Sequence, residues 1–198
     1  MITPKSTPPS IPNLEKVGNL IIYLVDEVKK KHRKPVHVTK LLKMLYIIDE
    51  TSVKETGVPV TGLDYKVWKM GPVAYAVYTD LAHNNSEQLC PFAEAKTGEG
   101  EGKKIESTNR FDDAEFSDYE MNLIDTVIDQ YGALDGNALI ELLHEDGSLW
   151  KKIVVERGLE QKFETEATSQ FKIDLSTLIA DDLQKLECYN TAKGSFNL

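Results

Sequence analysis

The side chains best suited to hold a metal ion are four histidines and two cysteines. The histidines are His32, His37, His83 and His144, and the cysteines are Cys90 and Cys188. No pair of histidines has the His-Glu-x-x-His spacing that places two ligands on one helix face, and neither cysteine has a partner at metal-ligand spacing. The sequence therefore predicts no metal site, no bound cofactor and no disulfide framework.

A run of three titratable residues, His144, Glu145 and Asp146, could in principle act in acid/base chemistry. Consecutive residues of a helix point in different directions, so the three cannot converge on one substrate atom. We interpret His144 as a helix-end cap or a buried hydrogen-bonding group, since histidine is favoured near a helix C-terminus. An enzyme of unrecognised type with His144 as acid/base stays open as an alternative, because an active site built from distant residues leaves no local motif.

Glycines and glutamates alternate from Gly98 to Gly102 within a polar stretch that runs from about residue 84 to 115. This segment is not a phosphate loop, because no Lys-Ser/Thr pair follows it and its carboxylates would repel a phosphate. We predict a flexible loop or a small hairpin. No Gly-x-Ser-x-Gly or dinucleotide-binding motif occurs elsewhere in the chain.

The charge of the chain limits its partners. Its 198 residues contain 23 Lys and Arg against 32 Asp and Glu, for a net charge of −9. The average surface would repel a phosphate backbone, which makes nucleic acid an unfavourable partner. The basic run from Lys29 to Arg33 keeps one alternative open, a DNA-binding regulator of its own operon, although the helix dipole also favours cations at a helix end.

Composition and hydropathy predict a globular protein of the cytoplasm. Apolar residues make up 41% and charged residues 28% of the chain, which suits a buried core with a solvated surface. No apolar run approaches the roughly 20 residues of a membrane-spanning helix. Residues 1–12 are rich in proline and lack the features of a secretory signal, so we predict a disordered leader there.

Helical periodicity predicts a mainly α fold, a compact multi-helix domain with a short strand or hairpin insertion. One helix starts behind Asn13, and a second runs from about Val38 to Gly57. Ser117-Asp118-Tyr119-Glu120 has the form of a capping box, and a last amphipathic helix is expected from Leu175 to about Tyr189.

Between the second helix and the capping box the pattern changes. Leu63, Tyr65 and Val67 alternate with polar residues, as in a single strand or an extended connector. Gly71-Pro72 follows, and proline is suited to the first turn of a helix, where its missing N–H is not needed. We therefore predict a helix that begins at Pro72.

Several short segments follow one another in a particular order along the chain. They are Lys40-Leu41-Leu42-Lys43-Met44-Leu45-Tyr46, Gly57-x-Pro59-Val60, Val67-Trp68-Lys69-Met70-Gly71-Pro72-Val73, Ser117-x-x-Glu120 with Ile128-x-x-Tyr131-Gly132, and Leu142-x-His144-x-x-Gly147 with Trp150-Lys151. Their order and spacing resemble those of the Panacea domain family, also called SocA-like antitoxins or phage-associated GepA-type proteins. The resemblance covers roughly residues 14–162.

The resemblance implies a compact, mostly helical antitoxin domain and not an enzyme. Members of this family pair with unrelated toxins that are encoded beside them in bacterial and phage genomes. The partner expected by resemblance is thus a cognate protein toxin, which is sequestered directly or delivered to a protease. The expected organisation is a disordered leader over 1–12, a Panacea-like helical domain over 13–162 and a C-terminal extension with one amphipathic helix over 163–198.

The motif residues fall into two groups. We expect the first to build the core or shape a turn, since large apolar residues at helical spacing are normally buried. This structural group is Leu41, Leu45, Tyr46, Gly71, Pro72 and Trp150. The second group contains candidates for contact with the partner, because Trp and Tyr concentrate in binding hot spots and exposed Lys attracts acidic partners. These candidates are Lys40, Lys43, Trp68, Lys69, Tyr75, Tyr78 and His144.

Overall fold

The computed structural model describes residues 9–82, 87–97 and 102–196. The α-helices are α1 (Leu14–His32), α2 (Val38–Thr56), α3 (Tyr75–Ala82), α4 (Asp118–Tyr131), α5 (Gly136–Leu143), α6 (Leu149–Glu156), α7 (Leu159–Thr165) and α8 (Leu183–Phe196). The strands are β1 (Tyr65–Trp68), β2 (Gly71–Ala74), β3 (Ala93–Thr97), β4 (Lys103–Ser107) and β5 (Lys172–Ile173), and a 3-10 helix spans Leu175–Ile179. The chain is mainly α with small sheets, as the periodicity predicted.

Helix α2 forms the centre of the fold. It contacts α3, α4, α5, α8, β2 and the 3-10 helix, so most of its circumference is covered. Apolar residues such as Leu41 and Leu45 are fully buried, and so are the polar residues Lys40, Lys43 and Asp49. A helix surrounded on most sides buries whatever side chains it carries, including those on its polar stripe. The elements packed around α2 therefore determine which of its motif residues are buried.

Strands β1 and β2 form an antiparallel hairpin in which Trp68 pairs with Gly71. The chain turns through Lys69 and Met70, and Gly71 then adopts a φ of +95°, a backbone conformation that favours glycine. The prediction of a helix that begins at Pro72 is wrong, because residues 71–74 are a strand and α3 begins at Tyr75. Proline is tolerated there since β2 is an edge strand in the order β2-β1-β5.

Strands β3 and β4 form the hairpin predicted for the polar stretch, with Ala93 paired to Ser107 and Thr97 to Lys103. Residues 98–101 of the glycine and glutamate run lie outside the described residues. The hairpin is joined to the segment just before α2 by a hydrogen bond from Ile105 N–H to Val36 O, 2.8 Å long.

The predicted helix ends are largely confirmed. Ser117 and Glu120 form the reciprocal capping box of α4, and Gly57 ends α2 with a φ of +81°. Asn13 lies at the N-cap of α1, but its side chain makes no capping hydrogen bond. Residues 175–189 differ from the single helix expected, since the 3-10 helix and α8 are separated at residues 180–182.

The segment after α7 returns to the hairpin and to α2. Strand β5 pairs with β1 in antiparallel register, with Tyr65 opposite Ile173. Ser169 Oγ donates to Val67 O, and Val67 N–H donates to Phe171 O, so the tail runs along β1 beyond the two residues of β5. The 3-10 helix and α8 cover α2. The tail therefore helps to enclose the central helix.

At the other end of the chain, residues 1–8 of the expected leader lie outside the described residues. Ile11 is buried, and its N–H donates to Gln88 Oε1 at 2.9 Å. The division into a leader, a domain and an extension stays a prediction. Across the described ranges, no helix combines the length and the apolar character that a membrane crossing requires.

Candidate functional site

Motif segments that are distant in sequence meet around Gly71 at the hairpin. Lys43 of α2 donates from its ammonium Nζ to Pro72 O over 2.8 Å. A Cβ atom built on Gly71 would lie 3.0 Å from Lys43 Nζ and 3.6 Å from His144 Nε2. The absence of a side chain at Gly71 therefore leaves room for both groups. We call Lys43, Gly71, Pro72, His144 and Trp150 the motif cluster.

Lys43 is buried within this cluster, with 1% of its surface exposed. The expectation that it is exposed for partner contact is wrong, because β2 covers the face of α2 on which it lies. Its aliphatic stem can pack in an apolar interior, while the head group bonds a carbonyl oxygen. Burial lowers the pKa of the ammonium group to about 7, since the charged form is poorly solvated.

Lys40, one turn earlier, is buried as well, with 2% of its surface exposed. Its Nζ donates to the backbone oxygen of Gly132, which ends α4. Lys40 thus links α2 to α4, and it too is not the exposed lysine expected from the sequence. Burial, and then repulsion from the nearby Lys34, lower its pKa to about 8.

His144 ends α5, at the helix-end position predicted for it. Its ring stacks on the indole of Trp150, with 3.7 Å between centroids and 2° between planes. Its Nε2 atom is buried and has no hydrogen-bond partner within the described part of the chain. Burial first, and the positive charges of Lys43 and Lys151 next, lower its pKa to about 4, so the imidazole is neutral at pH 7.

Trp150 holds the cluster against the hairpin. Its indole Nε1 donates to Trp68 O at 2.9 Å, and only 6% of its surface is exposed. Leu41, Leu45 and Tyr46 are core residues with at most 1% of their surface exposed. These residues have the structural role expected of them, and Gly71 completes the hairpin turn.

The remaining contact candidates come together on the hairpin and α3. Trp68 lies edge-to-face with Tyr78 at a centroid distance of 4.9 Å and with Tyr75 at 6.2 Å. Lys66 Nζ lies 3.6 Å from the centroid of the Tyr75 ring, within cation–π range. All three rings are half-buried, and Lys69 is exposed at the turn. We call Lys66, Trp68, Lys69, Tyr75 and Tyr78 the aromatic surface.

A cleft of about 510 Å³ borders the aromatic surface at Tyr75 and Lys66. Asp64 and two further lysines line it, with Lys172 Nζ 2.7 Å and Lys193 Nζ 3.2 Å from the carboxylate oxygens of Asp64. Sequence reasoning missed Lys172 and Lys193, because they follow Asp64 by more than one hundred residues and have no motif of their own.

Asp49 was also missed in the sequence. Its buried carboxylate accepts hydrogen bonds from Thr61 N–H, Thr61 Oγ1 and Tyr65 Oη, and burial raises its pKa. The signal that could have found it is a carboxylate inside the apolar stripe of α2. Asp49 anchors the segment that leads into β1, so we assign it a structural role.

A family model described as antitoxin SocA-like, Panacea domain, matches residues 41–151, more than half of the chain. The chain belongs to the SocA-like Panacea family. No curated protein and no solved structure matches it. The sequence-based assignment to this family is thereby confirmed.

The Panacea match includes the whole motif cluster and the whole aromatic surface, from α2 to the start of α6. Helix α1 and the tail after α6 lie outside the matched range, although both pack against it. Lys172 and Lys193 therefore place charge in the cleft beside the aromatic surface, and they come from a segment that the family model does not cover. Among the described residues, no group of three or more His, Cys, Asp and Glu side chains could hold a metal ion.

Proposed function

We propose that this protein is a cytoplasmic antitoxin that binds and neutralises a protein toxin encoded beside it in a bacterial or phage genome. The observation that carries the proposal is its membership of the antitoxin-like Panacea family. The aromatic surface supports it, because Trp and Tyr supply large contact areas at low cost in side-chain entropy. Trp68, Tyr75 and Tyr78 already pack on one another, which lowers that cost further.

The charges beside the rings support a partner that presents acidic groups. Lys66 and Lys69 belong to the aromatic surface, and Lys172 and Lys193 line the adjoining cleft. Asp64 pairs with both of the latter lysines. Lys66 and Lys69 form no ion pair with a carboxylate among the described residues, so the aromatic surface itself carries positive charge. An acidic patch on the toxin would be attracted to this region and repelled by the rest of a chain with net charge −9.

The neighbouring gene product provides the test. It is induced alone and together with this protein, growth is followed, and the pair is then recovered by pull-down. Rescue with a stable complex indicates sequestration, whereas rescue with loss of the toxin indicates delivery to a protease. A neighbour that is toxic but neither bound nor neutralised would contradict the proposal.

A substitution tests the surface. Tyr75→Ala removes a half-buried ring at the centre of the aromatic surface, and we expect it to weaken the complex at least about tenfold, as loss of a hot-spot residue does. The matched control is Lys152→Ala, an exposed residue on α6 outside the surface. Equal affinity of both variants for the toxin would show that the toxin binds elsewhere.

The two alternative functions receive less support. Lys43 and His144 are close to each other, but the lysine is buried and its ammonium group already has an acceptor in Pro72 O, so a substrate has no direct access to it. Retained turnover in a His144→Ala variant would exclude the acid/base role. In the basic run, Lys31 pairs with Asp125 and Asp129, which lowers the charge available for a phosphate backbone. A regulator that contacts phosphates through the basic run should bind DNA with an affinity that falls steeply with ionic strength, and the absence of such binding would exclude it.

A further inference from the structure

A second cleft, of about 560 Å³, lies between the tip of the β1–β2 hairpin, the start of α2 and the start of α5. We call it the basic cleft. Its lining includes Lys34, Lys40, Met70, Leu134, Asp135 and Ile140. It shares no lining residue with the cleft beside Tyr75. Its volume falls in the range of roughly 300–1,000 Å³ that is usual for binding clefts.

Among the described residues that line the basic cleft, the lysines Lys34, Lys40 and Lys103 outnumber the one carboxylate, Asp135, although the protein is acidic overall. Lys34 is exposed and forms no ion pair with a carboxylate in the described ranges. It lies close enough to Lys40 for repulsion to lower the pKa of the Lys40 ammonium group, and Asp135 opposes this effect only in part. Two like charges that repel each other at a cleft are stabilised by an incoming carboxylate.

Part of the lining of the basic cleft is apolar. Met70, at the turn of the hairpin, has 51% of its surface exposed, and Leu134 and Ile140 also line the cleft. Exposed methionine adapts its shape to a bound side chain, which is why it is common at binding surfaces. The cleft therefore has an apolar surface for a bound side chain, with lysines beside it.

We infer that the basic cleft binds an extended acidic segment of a protein, with one apolar side chain seated on Met70 and flanking carboxylates beside Lys34. The identification of that protein as the toxin rests on the proposed function. A single-stranded nucleic acid fits the cleft less well, because its bases stack on aromatic rings and none of the Trp, Tyr or Phe rings of the described chain lines this cleft. The net charge of −9 also opposes a phosphate backbone.

The inference is tested with a short fluorescent peptide of alternating Glu and Leu residues, titrated into the full-length protein at low salt. The matched probe is the same peptide with Lys in place of Glu. We expect saturable binding of the Glu peptide alone. Lys34→Glu, a change at an exposed site that leaves the core intact, should weaken that binding at least about tenfold, and Met70→Ser about threefold.

The control variant is Lys152→Glu, which makes the same charge reversal on α6, outside the cleft. It should change the affinity less than about twofold. Equal affinities of the Lys34 and Lys152 variants would overturn the inference. So would the lack of saturable peptide binding, or tighter binding of a single-stranded oligonucleotide of the same charge.

The growth assay separates this inference from the proposed function. If the wild type neutralises the toxin and the Lys34→Glu variant does so equally well, with unchanged peptide affinity, the inference fails while the antitoxin function stands. If the wild type does not neutralise the toxin but binds the Glu peptide through Lys34, the antitoxin function fails and the chemistry of the cleft is supported.

Discussion

Lys40 and Lys43 lie in the interior of the protein, each with a backbone carbonyl oxygen as acceptor. Helical spacing identifies the apolar stripe of α2 correctly, but it cannot show which elements cover the other faces of the helix. The two lysines lie beside the stripe, and for that reason the sequence suggests that they face solvent. Lys43 is covered by β2, and Lys40 bonds the end of α4, and no local sequence pattern reveals either contact.

The burial of Lys43 leads to a prediction at the scale of one residue. Its pKa is about 7 in the folded protein and 10.5 in the unfolded chain, so between these values the unfolded state binds a proton that the folded state lacks. The free energy of unfolding should therefore rise with pH across this window. We expect Lys43→Met to lose most of that rise, which is at most about 1.4 kcal/mol per pH unit for one proton.

Urea unfolding of both proteins at several pH values from 7 to 9 measures this difference. Because Lys40 has a pKa of about 8, the free energy of unfolding of the Lys43→Met variant should still rise with pH, but with a smaller slope. Lys152→Met, which removes an exposed lysine, should retain the wild-type slope. Identical pH profiles for Lys43→Met and the wild type would show that Lys43 keeps its charge in the folded state at pH 9.

At the scale of elements, the close approach of α8 to the end of α2 depends on Gly57. Its φ is +81°, and a Cβ atom there would overlap the backbone oxygen of Lys185. Gly158, at the start of α7, has a φ of +61°, and a Cβ atom there would meet no described atom within 4 Å. A comparison of substitutions at Gly57 and Gly158 therefore separates the cost of backbone strain from the cost of steric overlap.

We expect Gly158→Ala to cost about 1 kcal/mol of stability through backbone strain alone. Gly57→Ala should cost at least about 3 kcal/mol, because the helix end or α8 must also move. Urea unfolding at pH 7 measures both values. Equal losses in the two variants would mean that α8 is not held closely against α2.

Elements with local signals are the ones that sequence reasoning predicts well. The capping box at Ser117 and the stop at Gly57 each depend on a few adjacent residues, and both are confirmed. The start of a helix at Pro72 is wrong, because proline fits an edge strand as well as a first helical turn. The choice between the two depends on whether β1 is next to it, which is a tertiary contact.

In the molecule as a whole, the range that matches the family model, residues 41–151, is shorter than the range that forms the hydrophobic core, since α1 and the tail also contribute to that core. Helix α1 supplies Val17, Leu20 and Ile21 to the core, each with no exposed surface. We therefore expect a fragment of residues 41–151 to lack a cooperative unfolding transition, since it would expose the faces that α1 and the tail cover.

Urea unfolding and the dispersion of amide proton resonances test this expectation. The full chain serves as the control and should show a single cooperative transition. A cooperative transition in the 41–151 fragment would show that the matched range folds without α1.

The candidate site is predictable in part at this scale. The sequence points to Trp68, Lys69, Tyr75 and Tyr78, and the structure brings their elements together on the hairpin and α3. The lysines of the adjoining cleft are not predictable, because Lys172 and Lys193 reach Asp64 only after the tail has returned to the hairpin.

The pairing of β5 with β1 has a consequence for synthesis on the ribosome. Asp64 and Lys172 are joined across this region although 108 residues separate them in the chain. While the polypeptide is being translated, β1 has an unpaired edge and α2 lacks part of its cover until residues near 172–189 have emerged. Chaperones and proteases that bind unpaired strands and apolar surface can act on the nascent chain throughout this interval. We therefore expect the yield of finished protein to depend on a competition between chain completion and capture, as well as on the rate at which its gene is transcribed.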